Sequence, residues 1–248
     1  MTNRPSESSP LVYARVAGLA YLITIMLGIF SVNFVESNLI VSGNNAETVK
    51  NIMENGMLFR VGIASEIMMY VLVVLLSLSL YVILKTVNSN LALLALLWRL
   101  GEAIIGGGAT VISGLIPLLL LKGETGFETG QLQALVGLFL DVRGAGLDVV
   151  LIFIGMGGTV FCYLFYKSRY IPRILAVWGI LTYLTMLIIS FVSILSPDLP
   201  ETIKLAFYAP GGLFEITVGF WLLFKGVNVQ QWNHHAAASS AGQSMAQG

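Results

Sequence analysis

Six apolar stretches, at roughly 12–33, 60–84, 91–121, 145–166, 174–194 and 207–224, are each long enough to cross a bilayer, because a spanning helix needs about 20 predominantly apolar residues. No other feature restricts the fold as strongly. Inside hydrocarbon every backbone N–H and C=O must find its partner within the protein, and an α-helix pairs them within its own segment. The expected fold is all-α, a polytopic integral membrane bundle of six transmembrane helices over residues 12–227. The first stretch carries Arg15 rather than a basic cluster and lacks a small-x-small cleavage site, so it reads as a retained helix and not a signal peptide.

Composition agrees and narrows the function. Only 10% of the 248 residues are charged and the mean hydropathy is +0.85, against a charged fraction of about 25% in soluble domains. The formal net charge is zero and there is no basic block, which leaves a nucleic-acid partner without its electrostatic footprint. Cys162 is the single cysteine and lies in an apolar stretch. It has no partner for a disulfide, and no Cys/His spacing predicts a metal or cofactor. His234 and His235 stand in the C-terminal tail without further ligands.

Lys and Arg in the connections set the predicted orientation. With both termini cytoplasmic, the inner segments hold Arg4, Arg15, Lys85, Lys167, Arg169, Arg173 and Lys225, seven against the four outer residues Lys50, Arg60, Lys122 and Lys204. Tyr81, Tyr163 and Trp221 each precede an inner lysine by four residues, the pattern of an interfacial belt. Residues 1–11 are then a short cytoplasmic segment, and 228–248, rich in Ala, Ser, Gln and Gly, a disordered cytoplasmic tail. The first outer loop predicts a helix near 46–57, with Asn45 as cap, Glu47 in the first turn and Gly56 as the stop. Val49, Ile52, Met53 and Met57 fall on one face, so this helix lies on the membrane surface or covers the bundle mouth. Residues 131–143 (QLQALVGLFLDVR) have two readings, an outward extension of the fourth helix or a re-entrant half-span.

Seven ionisable residues sit within these apolar regions: Glu66, Arg99, Glu102, Asp141, Arg143, Asp148 and Glu215. A charge at membrane depth costs about 2.5–3.5 kcal/mol on insertion scales, so each should face a partner, a cavity or a pathway. Arg99 and Glu102 are three apart and share a helix face. Counted from Leu91 they lie roughly 12 and 17 Å deep, and Glu215 lies about 12 Å deep counted from Phe207. The expected site is a charged cluster of Arg99, Glu102 and Glu215, with Glu66 and Asp148 lining an outward vestibule. Two roles suit it. One is binding or moving a small polar, cationic or lipid-like solute, with the bilayer and that solute as partners. The other is a non-catalytic scaffold whose charges pin helices, Arg99 being shared between Glu102 and Glu215 and the glycines 106–108, 155, 157 and 158 allowing close packing. Signatures of catalysis are scarce: the apolar stretches hold no His, and there is no HExxH and no GxSxG.

The chain also divides into three helical hairpins that open with Arg15, Arg99 and Arg173 and close with aromatic-x-x-x-Lys. A true triplication would place a site near a pseudo-threefold axis, although positive-inside anchoring alone generates most of the pattern.

Four stretches carry a family resemblance: ARVAGLAYLI at Ala14–Ile23, LYVILKTVNSNLALLALLWRLGEA at Leu80–Ala103, YKSRYIPRILAVWG at Tyr166–Gly179, and ITVGFWLLFKGVN at Ile216–Asn228 with Glu215 just before it. On these the chain, from about Leu11 to Asn228, resembles an uncharacterised family of bacterial polytopic membrane proteins, domain of unknown function 4386. The resemblance implies a multi-pass protein of the bacterial cytoplasmic (inner) membrane, with Arg99, Glu102, the Ser168–Arg173 turn and Glu215 in the family pattern. It brings no catalytic assignment.

Overall fold

Most helices begin where a capping side chain or a proline ends an irregular stretch. In a computed structural model, which describes residues 9–123, 126–196 and 198–246, eight helices follow one another. They are α1 (Pro10–Leu39), α2 (Asn45–Glu54), α3 (Gly56–Leu84), α4 (Ser89–Lys122), α5 (Thr129–Ser168), α6 (Arg173–Leu195), α7 (Glu201–Phe224) and α8 (Val229–Ala246). Ser9, Asn44 and Asn88 each accept a hydrogen bond from a backbone N–H in the first turn of α1, α2 and α4. Pro172 and Pro200 stand just before α6 and α7. α5 opens with a capping box formed by Glu128 and Gln131.

All except α2 and α8 are long and apolar enough to cross a membrane. The chain is an all-helical, multi-pass membrane protein. These six pack as a closed ring in which each touches its neighbour in sequence and α7 returns to α1. α1 therefore stands opposite α5, and α4 opposite α7. The turns after α3 and α5 meet at one end with the chain's C-terminal segment: Asn228 N–H donates to Tyr170 C=O, and Trp232 Nε1–H donates to Ile83 C=O. That proximal end holds the larger apolar core, built on Ala14, Ile83, Leu164, Phe165 and Leu222. A smaller distal core joins Val35, Leu39, Phe59, Val136 and Leu140 to Val49 and Ile52 of α2.

α2 thus caps the distal end of the bundle. Its cap is Asn44, one residue before the predicted Asn45, and the chain passes through Asn55 straight into α3 at Gly56. Only Val49 and Ile52 of the predicted face are buried; Met53 and Met57 are exposed. Residues 131–143 are part of α5, whose 40 residues reach about 60 Å, twice a hydrocarbon core. The outward extension is the arrangement found. Composition predicts disorder from Asn228, but Val229–Ala246 is helical. Alanine favours helix, Asn228 Oδ1 accepts from Gln231 N–H, and Trp232 anchors the first turn. Of the predicted terminal segments, residues 1–8 and 247–248 lie outside the described residues.

Two local departures shape the lumen. The ladder widens to π-helix at Ser31–Glu36 in α1 and at Val111–Leu115 in α4. Pro117 accounts for the second, since it offers no N–H to the carbonyl of Ser113 and its ring crowds that carbonyl. Arg169 closes α5 in the left-handed region at φ 58°, a conformation a side chain adopts only where its surroundings enforce it.

Ring closure rests on bare backbone. A Cβ on Gly18 of α1 would lie 2.5 Å from Leu223 N and 2.6 Å from Gly219 O on α7, and backbone cannot rotate away. Gly18→Ala is expected to destabilise by about 1–3 kcal/mol through overpacking, read as a lower thermal midpoint in detergent. Gly107→Ala, whose Cβ meets nothing within 4 Å, is expected to leave the midpoint unchanged or raise it by the equivalent of up to about 1 kcal/mol.

Candidate functional site

A cavity of about 590 Å³ occupies the ring and carries charge in two layers. In the deep layer Arg99 and Glu102 project from one face of α4. Arg99 Nη1 lies 2.6 Å from Glu102 Oε2, with the two side chains only 6% and 3% exposed. The approach has ion-pair distance without hydrogen-bond alignment, and neither atom makes a hydrogen bond to a described residue. α5 admits the arginine stem at Gly157, where a Cβ would come within 2.8 Å of Arg99 Cγ.

Glu215 comes from α7, across the lumen. Its Oε1 accepts from Tyr183 Oη at 2.8 Å, and that hydroxyl is 3.5 Å from Tyr21 Oη. Tyr183 is held edge-on to Phe214 and lies against Gly158 of α5. Among the described residues Glu215 forms no contact ion pair: Arg99 touches Glu102 and acts on Glu215 only at longer range. The nearby phenol hydroxyl takes one oxygen of Glu215 instead.

The distal layer centres on Glu66 and Arg143. Glu66 on α3 is buried; its Oε1 accepts from Ser31 Oγ at 2.5 Å and its Oε2 from Thr110 Oγ1 at 3.0 Å. Arg143 reaches across from α5 to pair with Glu66 and, at 2.5 Å, with Glu36 of the opposite helix α1. The π-turn makes this possible, because a five-residue repeat brings Ser31 and Glu36 towards one face, whereas α-helical spacing would splay them. Asp141, exposed, lines the distal end of the cavity.

The structure brings together Arg99, Glu102, Glu215 and Glu66 of the sequence-predicted set. Asp148 is separate: it does not line the cavity but accepts from Ser193 Oγ at 2.8 Å and Tyr208 Oη at 3.3 Å, tying α5 to α6 and α7. In its place, Arg143 stands beside Glu66 and pairs with both Glu66 and Glu36. Glu36 was hidden because SVNFVESN reads as a polar exit from the first span, while the helix runs on to Leu39. Of the predicted packing glycines, 106, 155, 157 and 158 meet close neighbours, whereas 107 and 108 face open space. Among the described residues, no group of three His, Cys, Asp or Glu side chains is placed to hold a metal ion.

A family model described as Domain of unknown function (DUF4386) matches residues 16–226. No curated protein and no solved structure matches the chain.

Arg143 is the cation on which the distal layer depends. Arg143→Ala leaves Glu66 buried beside its hydroxyls without a counter-charge, and is expected to cost on the order of 3 kcal/mol in equilibrium unfolding. Arg143→Leu combined with Glu66→Leu removes both charges and is expected to recover most of that loss. An Arg143→Ala protein as stable as wild type would show that the pair does not brace the ring.

Proposed function

We propose that this chain, which belongs to the DUF4386 family, binds a small polar, cationic or lipid-like solute in its central cavity and exchanges it through the distal mouth. One observation carries the reading: the buried Arg99–Glu102 pair of the deep layer lines a cavity without hydrogen bonds to its facing atoms, whereas the buried Glu66 of the distal layer is engaged at both oxygens. Leaving buried charge short of hydrogen bonds costs several kcal/mol, and a bound polar solute would offset that cost. The cavity volume falls within the roughly 300–1,000 Å³ of small-molecule sites, and its mixed lining matches them in kind. The rival scaffold reading fits the distal layer, where Arg143, Glu66, Ser31 and Thr110 join four helices. It does not explain the deep one. Passage of solute onward, as in a transporter, requires the proximal core to part.

The balance of Lys and Arg supports cytoplasmic termini and a mouth facing outward, and the family resemblance supports the cytoplasmic membrane of a bacterium. A cysteine replacing Asn88 in a Cys162→Ala background is then expected to react with an impermeant thiol reagent from the cytoplasmic side; reaction from the outside alone overturns this orientation.

Native mass spectrometry of wild type beside Glu102→Gln tests the cavity. A stoichiometric small-molecule or lipid adduct on the wild type, lost from a folded Glu102→Gln protein, is expected. An adduct-free wild type together with an unfolded variant would assign the Arg99–Glu102 pair to scaffolding.

A further inference from the structure

The charges of the deep layer do not balance. One guanidinium, Arg99, faces two carboxylates, Glu102 and Glu215, and among the described residues Glu215 has no cation within ion-pair distance; its partner is the neutral phenol of Tyr183. Arg99 acts on Glu215 only at longer range, and a carboxylate at membrane depth without a counter-ion in contact is costly. Glu215 and Glu102, the latter with its Oε2 unaligned on a side chain 3% exposed, line the same cavity.

The surrounding wall bears on the ligand. Tyr21 and Tyr70 contribute aromatic rings and Ile25, Met69 and Ile154 apolar surface. A bare inorganic ion would leave this surface facing water, whereas a protonated amine on an apolar body covers it and gains attraction from the rings. Resting on the solute-binding reading above, we infer that the deep end of the cavity takes the protonated amine of an organic cation. The ammonium hydrogen-bonds to Glu215 and Glu102, and its apolar body lies along the lumen toward the distal layer. With the ammonium in place the charges of the deep layer sum to zero, and the remaining guanidinium donors of Arg99 suit a hydroxyl or carbonyl acceptor on that body.

The test is equilibrium binding of tritiated phenethylamine to the purified full chain in detergent. Unlabelled phenethyl alcohol and 3-phenylpropanoate, matched in shape but neutral and anionic, serve as competitors. The amine is expected to bind saturably and neither competitor to displace it at equal concentration. Glu215→Gln is expected to weaken binding about tenfold or more at an unchanged thermal midpoint, the loss of a charged hydrogen bond. Glu215→Asp, which keeps the charge, should stay within a few-fold of wild type. The alcohol or the carboxylate binding as tightly as the amine overturns the cation assignment while leaving the cavity reading intact. So does unchanged amine affinity in a folded Glu215→Gln protein. If none of the three probes binds, the cation assignment fails, and the cavity reading falls with it only if native spectra are also adduct-free. The competition in wild type decides the assignment even if neither Glu215 variant folds.

Discussion

Ionised side chains in hydrocarbon must be gathered where they can see one another, and in this chain ring closure does the gathering. Several spans carry a charge with no opposite partner on the same helix, such as Glu66 on α3 and Glu215 on α7, and each would face the roughly 2.5–3.5 kcal/mol that insertion demands. When α7 returns to α1 across Gly18, helices distant in sequence come to face each other across one lumen. Arg143 then reaches Glu36 and Glu66, and Glu215 is placed opposite Arg99 and Glu102. An open fan of the same hairpins would turn several of these groups toward lipid tails.

The two charged layers differ in how fully they are satisfied, and that difference separates a brace from a site. In the distal layer the carboxylate of Glu66 is engaged by two hydroxyls and a guanidinium drawn from three other helices. Removing one member strands the rest, which is how a structural network behaves. In the deep layer Arg99 and Glu102 are as buried as Glu66, with fewer hydrogen bonds. Packing also orients it: Gly157 seats the Arg99 stem, and Gly158 and Phe214 fix the Tyr183 ring. Rigid walls around incompletely satisfied polar groups are what preorganised binding sites share.

The six spans were legible because hydropathy is a property of a window and tolerates errors at single positions; the helices differ from the predicted stretches chiefly at their ends. Arg99, Glu102, Glu66 and Glu215 were legible for a related reason, since charge inside such a window is expensive wherever it points. Direction was not legible. Asp148 and Glu66 have the same kind of environment in the sequence, and only the ring decides that Glu66 faces the lumen while Asp148 turns to Ser193 and Tyr208. Glu36 was lost because a π-turn carries the helix through a polar stretch that reads as a loop. The helix at Val229–Ala246 was lost because composition cannot anticipate Trp232 docking on Ile83. Both depend on tertiary contacts that a one-dimensional pattern does not contain.

The three hairpin arginines show how a sequence register can mislead about a site. Arg15 and Arg173 are exposed, and Arg173 lies over the Tyr166 ring as an interfacial anchor would; Arg99 is buried in the lumen. The cause is depth. Arg173 is the first residue of its helix and Arg15 is five beyond Pro10, whereas Arg99 is ten beyond Ser89, or roughly 0, 8 and 15 Å along the respective axes. The same residue type at a similar place in each hairpin is therefore a surface anchor twice and a buried ion once. The repeat accounts for how the helices are held at the membrane edge. The chemistry of the lumen follows from the one hairpin whose arginine departs from that register, so the three hairpins do not offer three equivalent sites.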